Sequence, residues 1–362
     1  MDVDSAHDKN TVAPRQTYSL GIEARDLPPS PSTISSKQSY QTPVLKGALI
    51  YRIPETHAGQ NSLISSILPQ HNTLDDSPQL TIGEGIVINV TASNPEPIRL
   101  SSVLDDPAHA QHVLIIVDPH VHCTVIDDQR STPITRYSSH HCEVLAKEGA
   151  SINLISLKRL DALTFQTCRR VGIAERNARI TWQSFELGQG QSHLRTHLRL
   201  AGEGAQASVL SSFIGKGKGH SDRKTLISHD VGHSKSLIKS RHLLLDQSSV
   251  IHRGFIDIKQ GQRGCSGHQQ DDTLLGSDEA RIDAIPTLEI ANQEVQCTHA
   301  ATMRTIDDED LFYLMSRGLS PAESRRSLFE AFLMPLLDAL PSEASAVRQE
   351  LLDLVAEEVP HV

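Results

Sequence analysis

Aromatic residues are scarce in this chain of 362 residues, and it has neither an excess of basic charge nor long apolar runs. Phe, Trp and Tyr together account for 4% of it, and Trp182 is its single tryptophan. A β-rich carbohydrate enzyme needs sugar-stacking rings, so this composition disfavours that class. Acidic residues outnumber basic ones by 44 to 34, which disfavours a general nucleic-acid or anionic-membrane surface. The longest aliphatic runs, such as 113–117, are too short to cross a bilayer.

Cysteine is sparse and irregularly placed. The five cysteines are odd in number and show no C-x-x-C spacing. The pattern therefore predicts neither a disulfide framework nor a zinc ribbon. The acidic N-terminus lacks the apolar segment of a secretory signal. We expect reduced thiols, a cytoplasmic location, and neither a nucleic acid nor a membrane as a partner.

The composition changes along the chain. Residues 1–42 are rich in Ser, Pro and Gln, which predicts a flexible arm because little apolar surface is available to offset ordering entropy. Within the segment 43–80 we expect a strand at 48–51 and a short helix at 62–68. From 81 to 306 the residues alternate between apolar and polar with frequent turn residues, which indicates a β-rich core.

A short phrase recurs within that core. It consists of a turn, a small alanine and apolar residues at alternate positions, and it begins at residues 148, 176, 203 and 278. The first three copies start 28 and 27 residues apart. This interval is typical of a β-solenoid, in which each turn of the coil covers the apolar face of its neighbour. A β-sandwich with similar turns is the alternative.

After residue 306 the apolar period becomes helical, which predicts a C-terminal α-helical region over 307–362. Asp307 is placed to cap the first helix, and Ser320–Glu323 forms a capping box at the start of the second. A third helix is predicted over 342–358. The second helix carries a broad apolar stripe, which either packs within the chain, on the β core or on the third helix, or forms a docking face for a partner. Its members are Leu328, Phe329, Phe332, Leu333, Leu336, Leu337 and Leu340.

Cys297 and His299 are candidate metal ligands, although a buried cysteine beside a structural histidine is the commoner interpretation of such a pair taken alone. They lie two residues apart in a strand-like run, so a thiol and an imidazole share one face. Two ligands do not complete a tetrahedral site, and the remainder must come from elsewhere, such as a second chain. Two further groups, His120–Cys123 and His140–Cys142, also contain ligand-type residues. In a chain with 19 histidines, ordinary exposed or hydrogen-bonded histidines are the simpler interpretation of those groups.

Six phrases between residues 177 and 340 occur in an order and spacing that resembles the SufB/SufD family of iron-sulfur cluster assembly proteins. The phrases are Leu198–Ala205, Arg253–Ile258, Asp272–Leu275, Pro286–Ile290, Val295–Thr302 and Leu311–Gly318. The resemblance implies a mainly β fold, a right-handed parallel β-helix core followed by the helical region. It also implies a scaffold subunit that is itself no enzyme. Such a subunit pairs with a paralogue and docks a SufC-like ATPase through its C-terminal helices.

The same resemblance implies a SufD-like member with a SufB-like partner. Asp271 stands where the SufB-like pattern has a cysteine, and Ala300 stands where it has a glutamate. His299 then corresponds to the residue linked to cluster building, with Cys297 beside it, and a transient cluster or iron would lie at the subunit interface rather than be held tightly by the monomer. A purely structural subunit without a ligand is the alternative. The predicted partner-binding residues are Leu311, Phe312, Tyr313, Arg317, Phe329, Phe332 and Leu333.

Overall fold

The computed structural model describes residues 48–53 and 85–358. The predicted arm over 1–42 and the predicted helix at 62–68 lie outside those residues. The strand predicted at 48–51 is present as β1 (Ala48–Ile53).

Two long β-sheets form the body of the protein. The first sheet contains, in spatial order, β1, β2 (Gly85–Val90), β4 (Ala108–Val117), β6 (Tyr137–Ala146), β8 (Phe165–Ala174), β10 (Gln191–Leu200), β12 (His220–His229), β14 (Ser249–Ile258) and β16 (Arg281–Ile290). The second contains β3 (Ile98–Leu104), β5 (His122–Ser131), β7 (Ser151–Leu160), β9 (Arg179–Gly188), β11 (Gln206–Gly215), β13 (Lys235–Leu244), β15 (Ser266–Leu275) and β17 (Gln296–Thr305).

The chain crosses from one sheet to the other at every turn. Each strand after β3 pairs in parallel with the strand two positions earlier in sequence, and only the β1–β2 pair is antiparallel among the described strands. This topology is a parallel β-solenoid, so the predicted β-helix class is confirmed and the β-sandwich alternative is wrong. Stacked turns bury apolar side chains that no single turn could cover.

The repeat seen in the sequence is the register of the second sheet. Ser151 pairs with Arg179, and Arg179 pairs with Gln206, at the same offsets of 28 and 27 residues. The alanine that precedes each of these strands is buried at a corner of the coil, where a larger side chain would not fit. The copy beginning at 278 differs because it precedes β16, in the first sheet, and therefore lies at the opposite corner.

Three helices follow the solenoid, α1 (Asp308–Ser316), α2 (Pro321–Leu337) and α3 (Ser345–Glu358), with a 3-10 turn at Ser342–Ala344. The Asp307 side chain accepts from the backbone N–H of Glu309, as expected of a helix cap. The predicted capping box between Ser320 and Glu323 is present.

The apolar stripe of α2 packs within the chain. Phe329, Phe332 and Leu333 are buried in one cluster with the outer face of the second sheet and with α3. The packing alternative is therefore correct, and the assignment of these three side chains to a partner-binding surface needs correction. An amphipathic pattern shows that a face must be covered but does not show what covers it.

Acid should destabilise this fold partly through His229, which is fully buried between two serine hydroxyls. Burial lowers the pKa of His229 to about 4. The unfolded chain, with a histidine pKa of about 6.5, binds the extra proton first, so stability is lost as the pH falls from about 6.5 to about 4. His229→Gln should remove about 2–3 kcal/mol of the stability difference between pH 7 and pH 4.5 in urea unfolding. The exposed-site variant His122→Gln should keep the full difference; equal losses in unmodified chain and His229 variant would contradict the assignment.

Candidate functional site

Strand β17 forms the last turn of the solenoid and the end of the second sheet. Within the described ranges, no strand pairs with its outer edge. The backbone N–H of Gln296 donates to the carbonyl of Cys265 at 3.0 Å, which directs the even-numbered residues of β17 toward the neighbouring strand β15. By alternation, the backbone groups of Cys297, His299 and Ala301 face the outer edge. This edge can hydrogen-bond to an added strand.

Cys297 and His299 lie on one face of β17, as the sequence predicts. Cys297 is half-buried and packs against the main apolar core, whereas His299 is exposed. Burial raises the pKa of the Cys297 thiol, and a backbone hydrogen bond at Gly267 offsets part of that rise. The thiol is therefore protonated at neutral pH and must lose its proton before it can bind a metal.

A buried polar network lies directly beneath this face. His299 is in register with Gln269, whose amide donates to Oδ2 of Asp271 at 2.8 Å. Nδ1 of His252 lies 2.9 Å from Oδ1 of Asp271. A side chain at Gly254 would collide with Gln269, because a Cβ atom there would lie 2.1 Å from the amide nitrogen. The network thus gives β17 a closely packed polar floor.

Asp271 is the position that the resemblance aligns with a thiol in SufB-like chains. Burial alone would raise its pKa, but the attraction of His252 and hydrogen bonds from His252, Gln269 and Ser240 outweigh burial and lower it. The carboxylate is therefore ionised and already held inside the chain. It supports the floor of the site and does not extend to its surface.

The opposite face of β17 is fastened to α2. Thr302 donates to the carboxylate of Asp272, which also lies 3.1 Å from the guanidinium of Arg241. The guanidinium groups of Arg241 and Arg304 lie 5.2 and 5.7 Å from the centre of the Phe332 ring. Cation–π contacts of this kind hold an aromatic ring between charged groups. Phe332 therefore connects the candidate site to the helical region.

Helix α1 presents the remaining predicted partner-binding residues. None of its side chains is buried. Phe312 is 73% exposed and Tyr313 57% exposed, with Arg317 lying over the Tyr313 ring at 5.2 Å. Leu311 is half-buried. Two adjacent aromatic side chains on this short helix are therefore exposed.

Neither of the two further groups of ligand-type residues, His120–Cys123 and His140–Cys142, forms a cluster by itself. His120 occupies a turn with φ of 62°, whereas His122 begins β5, so the two do not share a strand face. His140 is buried in the interior, with Nδ1 3.7 Å from the sulfur of Cys168. All five cysteines carry free thiols.

The sequence interpretation missed how polar the solenoid interior is. Lys158, Arg170 and Arg223 are fully buried. Lys158 donates to Gln166 at 2.6 Å, and Arg223 lies 3.1 Å from the carboxylate of Glu186. Buried charges persist only with such partners. Alternation along each strand places these residues on its inward-facing side, but their polarity predicts exposure to solvent.

Comparison with known proteins shows which family the chain belongs to. The family model described as SUF system FeS cluster assembly, SufBD core domain, matches residues 100–332, well over half of the chain. The chain belongs to this family. The "Iron-sulfur cluster assembly protein SufD" of Bacillus subtilis (strain 168) is 27% identical over 274 residues, which cover 75% of this chain and 62% of that protein. The "Iron-sulfur cluster assembly protein SufB" of the same organism is 26% identical over 245 residues, covering 67% and 52%.

The SufBD relatives are named as assembly proteins, and this chain spans between 52% and 62% of the length of those two. Identities of 27% and 26% do not separate the SufD-like from the SufB-like pattern, so individual residues such as Asp271 and Ala300 carry that distinction. No described helix has the length and apolar character that a membrane span requires.

Proposed function

We propose that this chain is the SufD-like subunit of an iron-sulfur cluster assembly scaffold, with a SufB-like paralogue paired to β17. The main support is that a ligand pair stands on an exposed strand edge. His299 and Cys297 supply part of a coordination sphere, and an added strand from the partner would bring further ligands to the same place. Imidazole and thiolate both suit iron-sulfur species.

The two edges at this end of the solenoid differ, which supports β17 as the pairing edge. In β16 the N–H of Arg281 donates to the carbonyl of Ser248, just before β14, so Pro286 falls on the outward-facing side. Proline cannot donate there and blunts that edge. Strand β17 contains no proline and nine of its ten residues are exposed. A partner strand would therefore add to β17 more readily than to β16.

We further propose that α1 docks a SufC-like ATPase. Its exposed Phe312 and Tyr313 provide aromatic anchors, and Arg317 provides a cation beside them. Movement of the helical region would reach β17 through the contact of Phe332 with Arg304. A site divided between two chains can open when its halves shift, which suits a cluster that must be released.

One observation favours the alternative of a structural subunit that contributes no ligand. The thiol of Cys297 is half-buried with a raised pKa, so it is a poor ligand until a metal displaces its proton. The two functions differ in the role of His299, which is exposed.

His299→Ala tests the proposal directly. The variant should co-purify with its SufB-like partner under anaerobic conditions, because the backbone edge is unchanged. The complex should carry at least ten-fold less acid-labile sulfide than the unmodified complex, because one ligand is missing. His268→Ala is a matched control, since His268 is an exposed histidine on the neighbouring strand and contacts Thr298 on the opposite face of β17. If the complex with the His299 variant carries as much sulfide as the unmodified complex, the ligand role is wrong and only the structural function remains.

A further inference from the structure

Three ligand-type side chains converge far from β17, on the outer face of the first sheet. His112 on β4 is in register with His141 on β6, and Glu143 follows two residues later on the same face of β6. The backbone of two adjacent parallel strands therefore fixes all three positions.

The donor atoms have the spacing of ligands around one ion. Nε2 of His112 lies 3.6 Å from Oε2 of Glu143, and Nε2 of His141 lies 3.2 Å from Oε1. All three donor groups lie within 4.8 Å of one another. Metal–ligand bonds of about 2.1 Å place neighbouring ligand atoms about 3.0–3.5 Å apart. Small side-chain adjustments would therefore close the three groups on a single ion.

The surroundings favour a cation as well. The side chains of His112, His141 and Glu143 are 12%, 15% and 4% exposed. The two imidazole rings stack with centres 4.6 Å apart and planes at 6°. Parallel rings at that separation bring Nε2 of both imidazoles to the carboxylate of Glu143. A divalent ion would also counter the charge of the buried carboxylate.

We propose that His112, His141 and Glu143 form a binding site for a divalent first-row transition-metal ion. Two imidazoles and one carboxylate are the protein ligands of many zinc and non-haem iron(II) sites, and they leave positions for water or another ligand. The site is independent of the proposed cluster assembly at β17, from which it is separated by many turns of the solenoid.

The test is titration of the tag-free, chelator-treated full chain with Zn²⁺ by calorimetry. One ion should bind to this site in each chain. His112→Gln and Glu143→Gln should each weaken that binding at least ten-fold. His122→Gln, at an exposed histidine on the other sheet, should leave it unchanged. Unaltered affinity in the Glu143 variant, with its urea unfolding unchanged, would overturn the proposal.

X-ray absorption of the zinc-loaded unmodified chain removes any dependence on how the variants fold. Two imidazole ligands with oxygen completing the shell are expected. A sulfur-containing shell would assign the bound ion to cysteines and would overturn the proposal. Failure of this site would leave the His299 experiment unaffected, because that experiment measures sulfide in the paired complex.

Discussion

Ala301→Pro should prevent the chain from pairing with the proposed SufB-like partner while leaving the monomer folded. The N–H of Ala301 faces the outer edge of β17, so proline there removes a donor that only an added strand would use. The missing donor and the clash of the ring should together cost about 3 kcal/mol, on the order of 100-fold in Kd. Affinity between the separately purified chains, measured by calorimetry, checks the loss.

Two further variants serve as controls for Ala301→Pro. Ala301→Ser keeps the N–H and should pair like the unmodified chain. Ala300→Pro removes an N–H that faces β15, so it should destabilise the monomer itself. Normal pairing by Ala301→Pro would show that the partner docks elsewhere than on this edge.

Phe332→Ala should lower the free energy of unfolding by about 3–5 kcal/mol, because it empties a fully packed position between α2 and the second sheet. It also removes the ring shared by Arg241 and Arg304. Urea unfolding followed by circular dichroism measures the loss. A change below about 1 kcal/mol would contradict the packing of α2 on the solenoid.

Phe312→Ala is the matched comparison, since the same side chain is lost from an exposed position. It should change stability by no more than about 0.5 kcal/mol. If α1 docks the ATPase, this variant should lose capture of the ATPase in a pull-down although its fold is intact. Removal of all residues after Ile306 is a poorer experiment, because it would also expose the apolar face of the second sheet that α2 and α3 cover.

The solenoid was predictable because the sequence repeats at the same interval that separates paired residues of neighbouring strands. A turn, a small residue and alternating apolar positions recur where Ser151, Arg179 and Gln206 later pair. The half-site on β17 was predictable for a similar reason, since strand geometry alone places Cys297 and His299 on one face. Local patterns with a fixed period carry enough information for such features.

Features that depend on long-range contacts were not predictable. The burial of Phe332 depends on which surface α2 covers, and the floor beneath His299 depends on His252 and Asp271 arriving from different sheets. The convergence of His112 and His141 follows from a 29-residue register that is evident only once the length of each turn is known. Sequence inspection placed His141 with its chain neighbours instead.

The central claim is that this chain supplies only part of a cluster-assembly site, which a SufB-like partner completes. It is tested most directly by anaerobic purification of the chain alone and of the pair, followed by measurement of acid-labile sulfide. The account predicts sulfide in the pair and essentially none in the isolated chain, whatever divalent metal that chain carries. Stoichiometric sulfide retained by the isolated chain would contradict it.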